Sequence, residues 1–174
     1  MPGAGEVTEV LGEARGRLAE AGVGTVRLGR LVVPPRWLAA LRSPRVVPEA
    51  EVWPLGVILL DAGPGPLRAW AAGEVVRARP AARRGYQAES QRRRGELAEA
   101  AFRGGFAEGE AAHLAAGPID VAGIGAAAPD DASAPILVVD GVPLVRWSRS
   151  ADPAPLAPYL AERVALLLAP PERA

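Results

Sequence analysis

The sequence contains no cysteine, no lysine and no asparagine, and it has a single histidine, His113. All 20 basic residues are therefore arginine. A chain of this composition offers no thiolate nucleophile, no thiolate metal ligand, no Schiff-base lysine and no pair of histidine ligands. These absences exclude most of the usual routes to covalent and metal-assisted catalysis, so the sequence predicts no cofactor and no metal site.

An excess of charge of one sign is also absent, as is a long hydrophobic run. The 20 arginines balance 20 acidic residues, and the isoelectric point is about 6.6. No overall field therefore draws the chain to nucleic acid or to a membrane surface. Prolines and charges interrupt the longest apolar stretch, residues 154–171, and residues 1–12 hold no apolar signal region. The sequence thus predicts no membrane partner, disfavours nucleic acid and indicates a cytoplasmic location.

What the sequence does contain is the pattern of a single globular domain over residues 1–174. The chain is 49% hydrophobic and 23% charged, a balance that allows a substantial core. Apolar residues at helical spacing predict helices at 5–21, 91–103 and 156–168. Ser90 is the predicted N-cap of the second helix, because its hydroxyl can accept a hydrogen bond from a free amide of the first turn.

Short apolar segments separated by turn residues predict β-hairpins. The clearest is at Asp140-Gly141, a dipeptide typical of type I′ turns, with apolar residues at 136–139 and 142–147. The continuous apolar run at 57–60 predicts a strand that is buried on both faces. Because turns rather than helices join the strands, we expect the α+β class, with antiparallel β-hairpins forming one sheet and about three helices packed on it. Residues 123–135, which are mostly small, polar or proline, predict a mobile loop.

His113 is the centre of one candidate site. Glu110 and His113 have the Glu-x-x-His spacing of di-metal carboxylate bundles, but those sites need two copies of that pair. A metal-binding or acid/base cluster of His113 with Glu108, Glu110 and Asp120 stays open, and the acid/base interpretation is the one that leads to a catalytic role. It would make the protein a small hydrolase, possibly one that cleaves amides, in which His113 is the general base. The alternative is that His113 is an ordinary histidine on a strand or loop.

A run of arginines between positions 77 and 94 supplies the second candidate site. Guanidinium groups bind phosphate or carboxylate through paired hydrogen bonds, and an aromatic ring can stack on a ligand. The predicted ligand-binding residues are Arg83, Arg84, Tyr86, Arg92 and Arg93. The partner would be an acidic protein or a phosphate-bearing ligand, and the protein an intracellular binding or accessory module. The alternative is a solvated helix face with ion pairs four residues apart, such as Arg92 with Glu96.

Four segments between Arg45 and Leu168 resemble a group of small proteins from high-GC actinobacteria. They are residues 52–57, 102–110, 138–147 and 159–164. Some members of that group carry the label glutaminase, which would imply amide hydrolysis. Serine-dependent glutaminases resemble β-lactamases and use a Ser-x-x-Lys pair, whereas amidotransferase glutaminases use a cysteine. Since this chain has neither lysine nor cysteine, the resemblance carries over no catalytic residue.

Overall fold

The computed structural model describes residues 3–37, 41–81, 88–124, 134–148 and 150–170. Three of the predicted ligand residues, Arg83, Arg84 and Tyr86, lie outside this part of the chain. So do residues 125–133, which make up most of the predicted mobile loop. The predictions for these residues therefore stay predictions.

Within the described residues the chain forms three α-helices and eight β-strands, which confirms the α+β class. The helices are α1 (Ala4–Glu20), α2 (Glu89–Arg103) and α3 (Leu156–Leu168). The strands are β1 (Val26–Val32), β2 (Arg45–Leu55), β3 (Ile58–Asp61), β4 (Ala69–Arg77), β5 (Ala111–Ile119), β6 (Ile136–Val139), β7 (Val142–Val145) and β8 (Ala154–Pro155). Each predicted helix is present, with bounds that differ by at most two residues from the prediction.

The strands form two sheets, where the sequence predicts one. The first sheet has the order β1-β2-β3-β4-β5 and closes into a barrel, because β1 also pairs with β5. That pairing is parallel, with Leu28 opposite His113, whereas β2, β3 and β4 pair as antiparallel hairpins. The second is the small antiparallel sheet β6-β7-β8. Turn residues identify hairpins in the sequence, but β1 and β5 are distant in the chain and no local pattern reports their pairing.

The Asp140-Gly141 turn confirms the predicted type I′ hairpin. The two residues have φ angles of 50° and 82°, and Val139 pairs with Val142 across the turn. Aspartate and glycine tolerate this left-handed backbone, so this dipeptide suits the turn. Residues 58–60 of the run predicted to be buried on both faces lie in β3, whose four residues are all buried, whereas Val57 precedes the strand and is partly buried.

Two details of α2 correct the prediction. The helix begins at Glu89 after Ala88, so Ser90 lies inside the first turn and is not the N-cap. No side chain caps this helix, and the extended backbone of Ala88 alone marks its start. Helical spacing also predicts that Phe102 faces inward, but it is 39% exposed. Alanines such as Ala98 and Ala101 occupy the buried face instead.

The chain folds into two compact units, each built from segments that are separate in the sequence. Unit 1 comprises Met1–Thr25, Val52–Ala72 and Ala116–Ala174, and unit 2 comprises Val26–Glu51 and Gly73–Ala115. Strands β2, β4 and β5 contribute residues to both units. The prediction of a single domain over the whole chain stays a prediction.

Each unit has a hydrophobic core of its own. In unit 1, α1 and α3 pack against each other, and large side chains such as Leu11, Ile58 and Leu160 fill the core. The main buried cluster of unit 2 consists mostly of alanine and valine around Phe106, which is 2% exposed, and Leu28 is a further large buried side chain of this unit. The main cluster of unit 2 therefore buries less apolar surface than the core of unit 1, and Phe106 contributes a large share of it.

Tyr159 joins α3 to the turn between β2 and β3, within unit 1. Its hydroxyl donates to the carbonyl of Leu55 at 3.3 Å and accepts from the amide N–H of Val57 at 3.1 Å. Between them Gly56 has a φ angle of 68°, and a Cβ atom there would collide with the Tyr159 hydroxyl. Both the backbone angle and the close approach therefore require glycine at this position.

Candidate functional site

The zero net charge of the chain conceals a separation of charge between the two units. Unit 2 contains 13 arginines and 8 acidic residues, a formal charge of +5. Unit 1 contains 7 arginines and 12 acidic residues, a formal charge of −5. The surface of unit 2 therefore favours anionic ligands, although the chain as a whole has no such preference.

In unit 2, α2 buries a face made of small residues and carries its arginines elsewhere. Gly95, Ala98 and Ala101 are buried, and their spacing of three residues puts them on one side of the helix. The chain just after β4 is tied to this helix, because the amide N–H of Arg79 donates to the carbonyl of Ala98 at 3.2 Å. The helix thus lies close to the end of β4, with arginines from both segments beside it.

A cleft of about 510 Å³, here termed the β4–α2 cleft, lies at this contact. Its lining residues are Val75, Val76, Arg77, Arg79, Gln91, Arg94, Gly95 and Ala98. Val75 is 48% exposed, so an apolar side chain is open to a ligand beside three guanidinium groups. Such a lining fits a ligand that carries a carboxylate or phosphate next to an apolar group.

A second cleft, of about 670 Å³, lies at the first turn of α2 and shares Gln91 and Arg94 with the β4–α2 cleft. Two acidic residues, Glu74 and Glu89, also line it, together with Arg93. The Nε atom of Arg94 is 3.2 Å from a carboxylate oxygen of Glu74. Because acidic residues line this cleft and no described acidic residue lines the β4–α2 cleft, the β4–α2 cleft is the stronger candidate for binding an anion.

Of the predicted ligand residues, Arg92 and Arg93 lie in the described part of the chain. Arg92 donates to both carboxylate oxygens of Glu89 at 2.6 Å and is 3.9 Å from Glu96. The hydrogen bond to Glu89 raises the pKa of Arg92, and Arg92 is not among the residues that line either cleft. Arg92 thus takes part in the surface pairing expected for a solvated helix face, whereas Arg93 lines the cleft at the first turn.

Sequence reasoning includes Arg77, Arg79 and Arg94 in the arginine run but does not select them as ligand residues. Their convergence on one cleft depends on the contact between α2 and the end of β4. Gly95 is the one feature of the sequence that indicated this close contact. A glycine inside a helix lowers helix stability, so it usually has a packing reason, such as the close approach of another segment.

His113 lies on β5, opposite Leu28 of β1. Its neighbours Ala112 and Leu114 pack in the core of unit 2, so His113 lies on the other face of the strand. The side chain is half-buried, and this burial lowers its pKa below the usual value of 6.5. Within the described residues its ring has no hydrogen-bond partner, although a general base needs a group that orients it.

The acidic candidates do not complete a site around His113. Glu110 accepts hydrogen bonds from Arg27 at 2.6 and 2.7 Å, and these bonds lower its pKa. Glu108 is exposed, and Asp120 belongs to unit 1, where it accepts a hydrogen bond within a turn. In the part of the chain that the structure describes, no three histidine or acidic side chains form a group that could hold a metal ion.

Comparison with known proteins gives no relative from which a function could be transferred. No protein-family model, no curated protein and no solved structure matches this chain. Among the described helices, none has the length and apolar character needed to cross a bilayer. The function must therefore be argued from the chemistry of the clefts.

Proposed function

We propose that this protein is a binding module whose β4–α2 cleft engages an acidic protein segment, one that carries carboxylate or phosphate groups beside an apolar surface. The observation that supports this most directly is the convergence of Arg77, Arg79 and Arg94 on a cleft that also exposes Val75. The formal charge of +5 on unit 2 would also speed the encounter with an acidic partner.

The internal contacts of two of these arginines leave them able to bind. A terminal nitrogen of Arg77 donates to the carbonyl of Gly109 at 3.1 Å, which orients the side chain but does not cancel its charge. Arg94 contacts Glu74 through Nε alone and is 71% exposed. Its terminal nitrogens therefore keep their hydrogen-bond donors for a ligand.

The alternative function, a small hydrolase with His113 as its base, has less support. A neutral imidazole can accept a proton near pH 7, and the lowered pKa of His113 keeps it neutral there. Catalysis also needs a second group that orients the base and a third that stabilises the developing charge. The nearest acidic residue in the sequence, Glu110, is already held by Arg27, so the binding module remains our proposal.

The proposal is tested by capturing partners with immobilised protein from a lysate of the source cells. Three forms are compared: the wild type, Arg94→Gln in the cleft, and Arg92→Gln as a matched control two residues away on the same helix. Each substitution removes one positive charge. Acidic partners should be depleted about tenfold on Arg94→Gln, because a charge-assisted hydrogen bond is lost, and should be kept on Arg92→Gln. Quantitative mass spectrometry measures the bound fraction.

The same partners should dissociate as salt rises, because charges at the surface are screened over about 8 Å at physiological ionic strength. Arg77→Gln, on β4, should reproduce the loss and would show that both sides of the cleft take part. Identical partner lists for all forms, with unchanged circular dichroism, would exclude the β4–α2 cleft as the binding site.

A further inference from the structure

A separate group of arginines lies at the C-terminal end of α2. A glycine, Gly104, allows the helix end to come close to the chain that supplies them. α2 ends at Arg103, and Gly104 follows as its C-cap. A Cβ atom on Gly104 would overlap the backbone carbonyl of Val46, near the start of β2. The helix end therefore rests directly on β2, which brings Arg103 beside the segment 41–45.

Arg103 is hydrogen-bonded to the segment 41–45. Its Nε and one terminal nitrogen both donate to the carbonyl of Pro44, at 3.4 and 3.2 Å. Its other terminal nitrogen is 3.7 Å from a carboxylate oxygen of Glu99, one turn earlier on α2. Arg103 is therefore a positioning residue: it holds the residues on both sides of Pro44 at the end of the helix.

The residues so positioned form an open cleft of about 540 Å³, lined by Arg42, Ser43, Arg45 and Arg103. No acidic residue of the described chain lines it, in contrast to the cleft at the first turn of α2. Arg42 and Arg45 are exposed, and within the described residues neither makes an ion pair or hydrogen bond. Two guanidinium groups therefore face one cleft, and no acidic residue of the described ranges pairs with either of them.

We propose that Arg42, Ser43 and Arg45 bind a phosphate group, and that Arg103 positions them. Each guanidinium presents five N–H donors in a fork that matches the oxygens of phosphate, and the Ser43 hydroxyl adds a further donor. The two positive charges of Arg42 and Arg45 balance the charge of about −1.5 to −2 that a phosphate group carries near pH 7. This site shares no residue with the β4–α2 cleft, so either proposal can fail without the other.

The test is titration of the isotope-labelled full chain with inorganic phosphate and with glycerol phosphate, followed by backbone amide NMR. Either probe should shift the amides of Ser43 and Arg45 with a dissociation constant of about 1 mM, and chloride at equal ionic strength should not. Since the cleft is open, the phosphate monoester should bind as well as free phosphate. A weaker response to the monoester would identify free phosphate as the ligand.

The double variant Arg42→Gln/Arg45→Gln should weaken binding at least about tenfold. Its matched control is Arg92→Gln/Arg93→Gln, which removes the same charge from unit 2 but leaves Arg42, Ser43 and Arg45 unchanged. Arg103→Lys keeps the charge and loses the paired bonds to Pro44, so it should weaken binding while the helix content stays the same. An equal loss of phosphate affinity in both double variants would overturn the proposal. So would the absence of amide shifts in the wild type at about 20 mM phosphate, a 20-fold excess over the expected dissociation constant.

Discussion

Unit 1 and unit 2 differ both in what they bury and in what they expose. Unit 1 fills its core with leucine, isoleucine and aromatic side chains and has a formal charge of −5. Unit 2 has a core of small residues around Phe106 and a formal charge of +5. A net charge of zero for the whole chain is therefore a poor guide to either surface, because it is the sum of two opposite ones.

The arginines of the two units are also used differently. In unit 1, Arg15 donates to the carbonyls of Gly63 and Gly65, and Arg68 pairs with the buried Asp61 at 2.8 Å. Both arginines thus hold the turn that joins β3 to β4. In unit 2, arginines such as Arg42 line an open cleft with no acidic residue of the described chain beside them. The open cleft supports the proposal that unit 2 provides a binding surface, while Arg27 and Arg103 of the same unit make internal contacts.

The largest effect on stability should come from Phe106→Ala. It removes the largest side chain of the unit 2 cluster, and the Cζ atom of Arg27 lies 4.6 Å from the centroid of its ring. We expect a loss of about 3–5 kcal/mol in the free energy of unfolding, because the small neighbours cannot fill the cavity. Phe102→Ala is the matched control, with an expected loss of about 1 kcal/mol or less at a partly exposed position. Urea unfolding measures both, and equal losses would contradict the account of the unit 2 core.

A smaller loss, about 2–4 kcal/mol, is expected for Leu160→Ala in unit 1. Leu160 is 1% exposed on α3, but its many large neighbours can shift to reduce the cavity. Leu166→Ala, at a position of the same helix that is 41% exposed, should change stability by about 0.5 kcal/mol or less. If Leu160→Ala costs more than Phe106→Ala in the same urea experiment, the two cores do not differ in the way described.

The two hairpin turns with an aspartate should respond differently to Asp→Asn. Asp61 is 2% exposed and accepts hydrogen bonds from Arg68 and from the amide of Gly63. Asp61→Asn should lower stability by about 1–2 kcal/mol, a range reduced for the solvent exposure of Arg68. Asp140→Asn should be close to neutral, since asparagine accepts the positive φ angle of Asp140 equally well. Thermal unfolding measures the loss of stability in both variants. A larger loss for Asp140→Asn than for Asp61→Asn would contradict the assigned roles.

The smallest effect concerns the pH dependence of unit 2. Because burial lowers the pKa of His113 below 6.5, the folded state binds its proton less readily than the unfolded state does. The resulting contribution of His113 to the free energy of unfolding is fully present above pH 6.5 and is lost as the pH falls through the lowered pKa. The ring signal of the single histidine should titrate below 6.5 by NMR, and His113→Gln should remove this part of the pH dependence. A midpoint at or above 6.5 would show that the ring is not desolvated.

Local sequence patterns predicted much of the fold and part of the candidate site. The three helices, the Asp140-Gly141 turn and the buried strand β3 were all predictable, because each depends on residues that are neighbours in the sequence. Of the predicted ligand residues that the structure describes, Arg93 lines a cleft, whereas Arg92 pairs with Glu89 on the helix surface. Which arginine of a run faces a cleft depends on the rotation of α2 against its neighbours, and that is set by packing.

The sequence by itself determined that thiol and lysine chemistry are absent and that every positive side chain is a guanidinium. It also determined where helices and hairpins form, since backbone preferences and turn chemistry act over a few residues. Only the tertiary structure decided that β1 pairs with β5, that charge divides between the units, and that Arg42, Arg45 and Arg103 meet at one end of α2. Those arrangements join residues far apart in the chain, and they follow from which buried surfaces fit together, such as Gly104 against Val46.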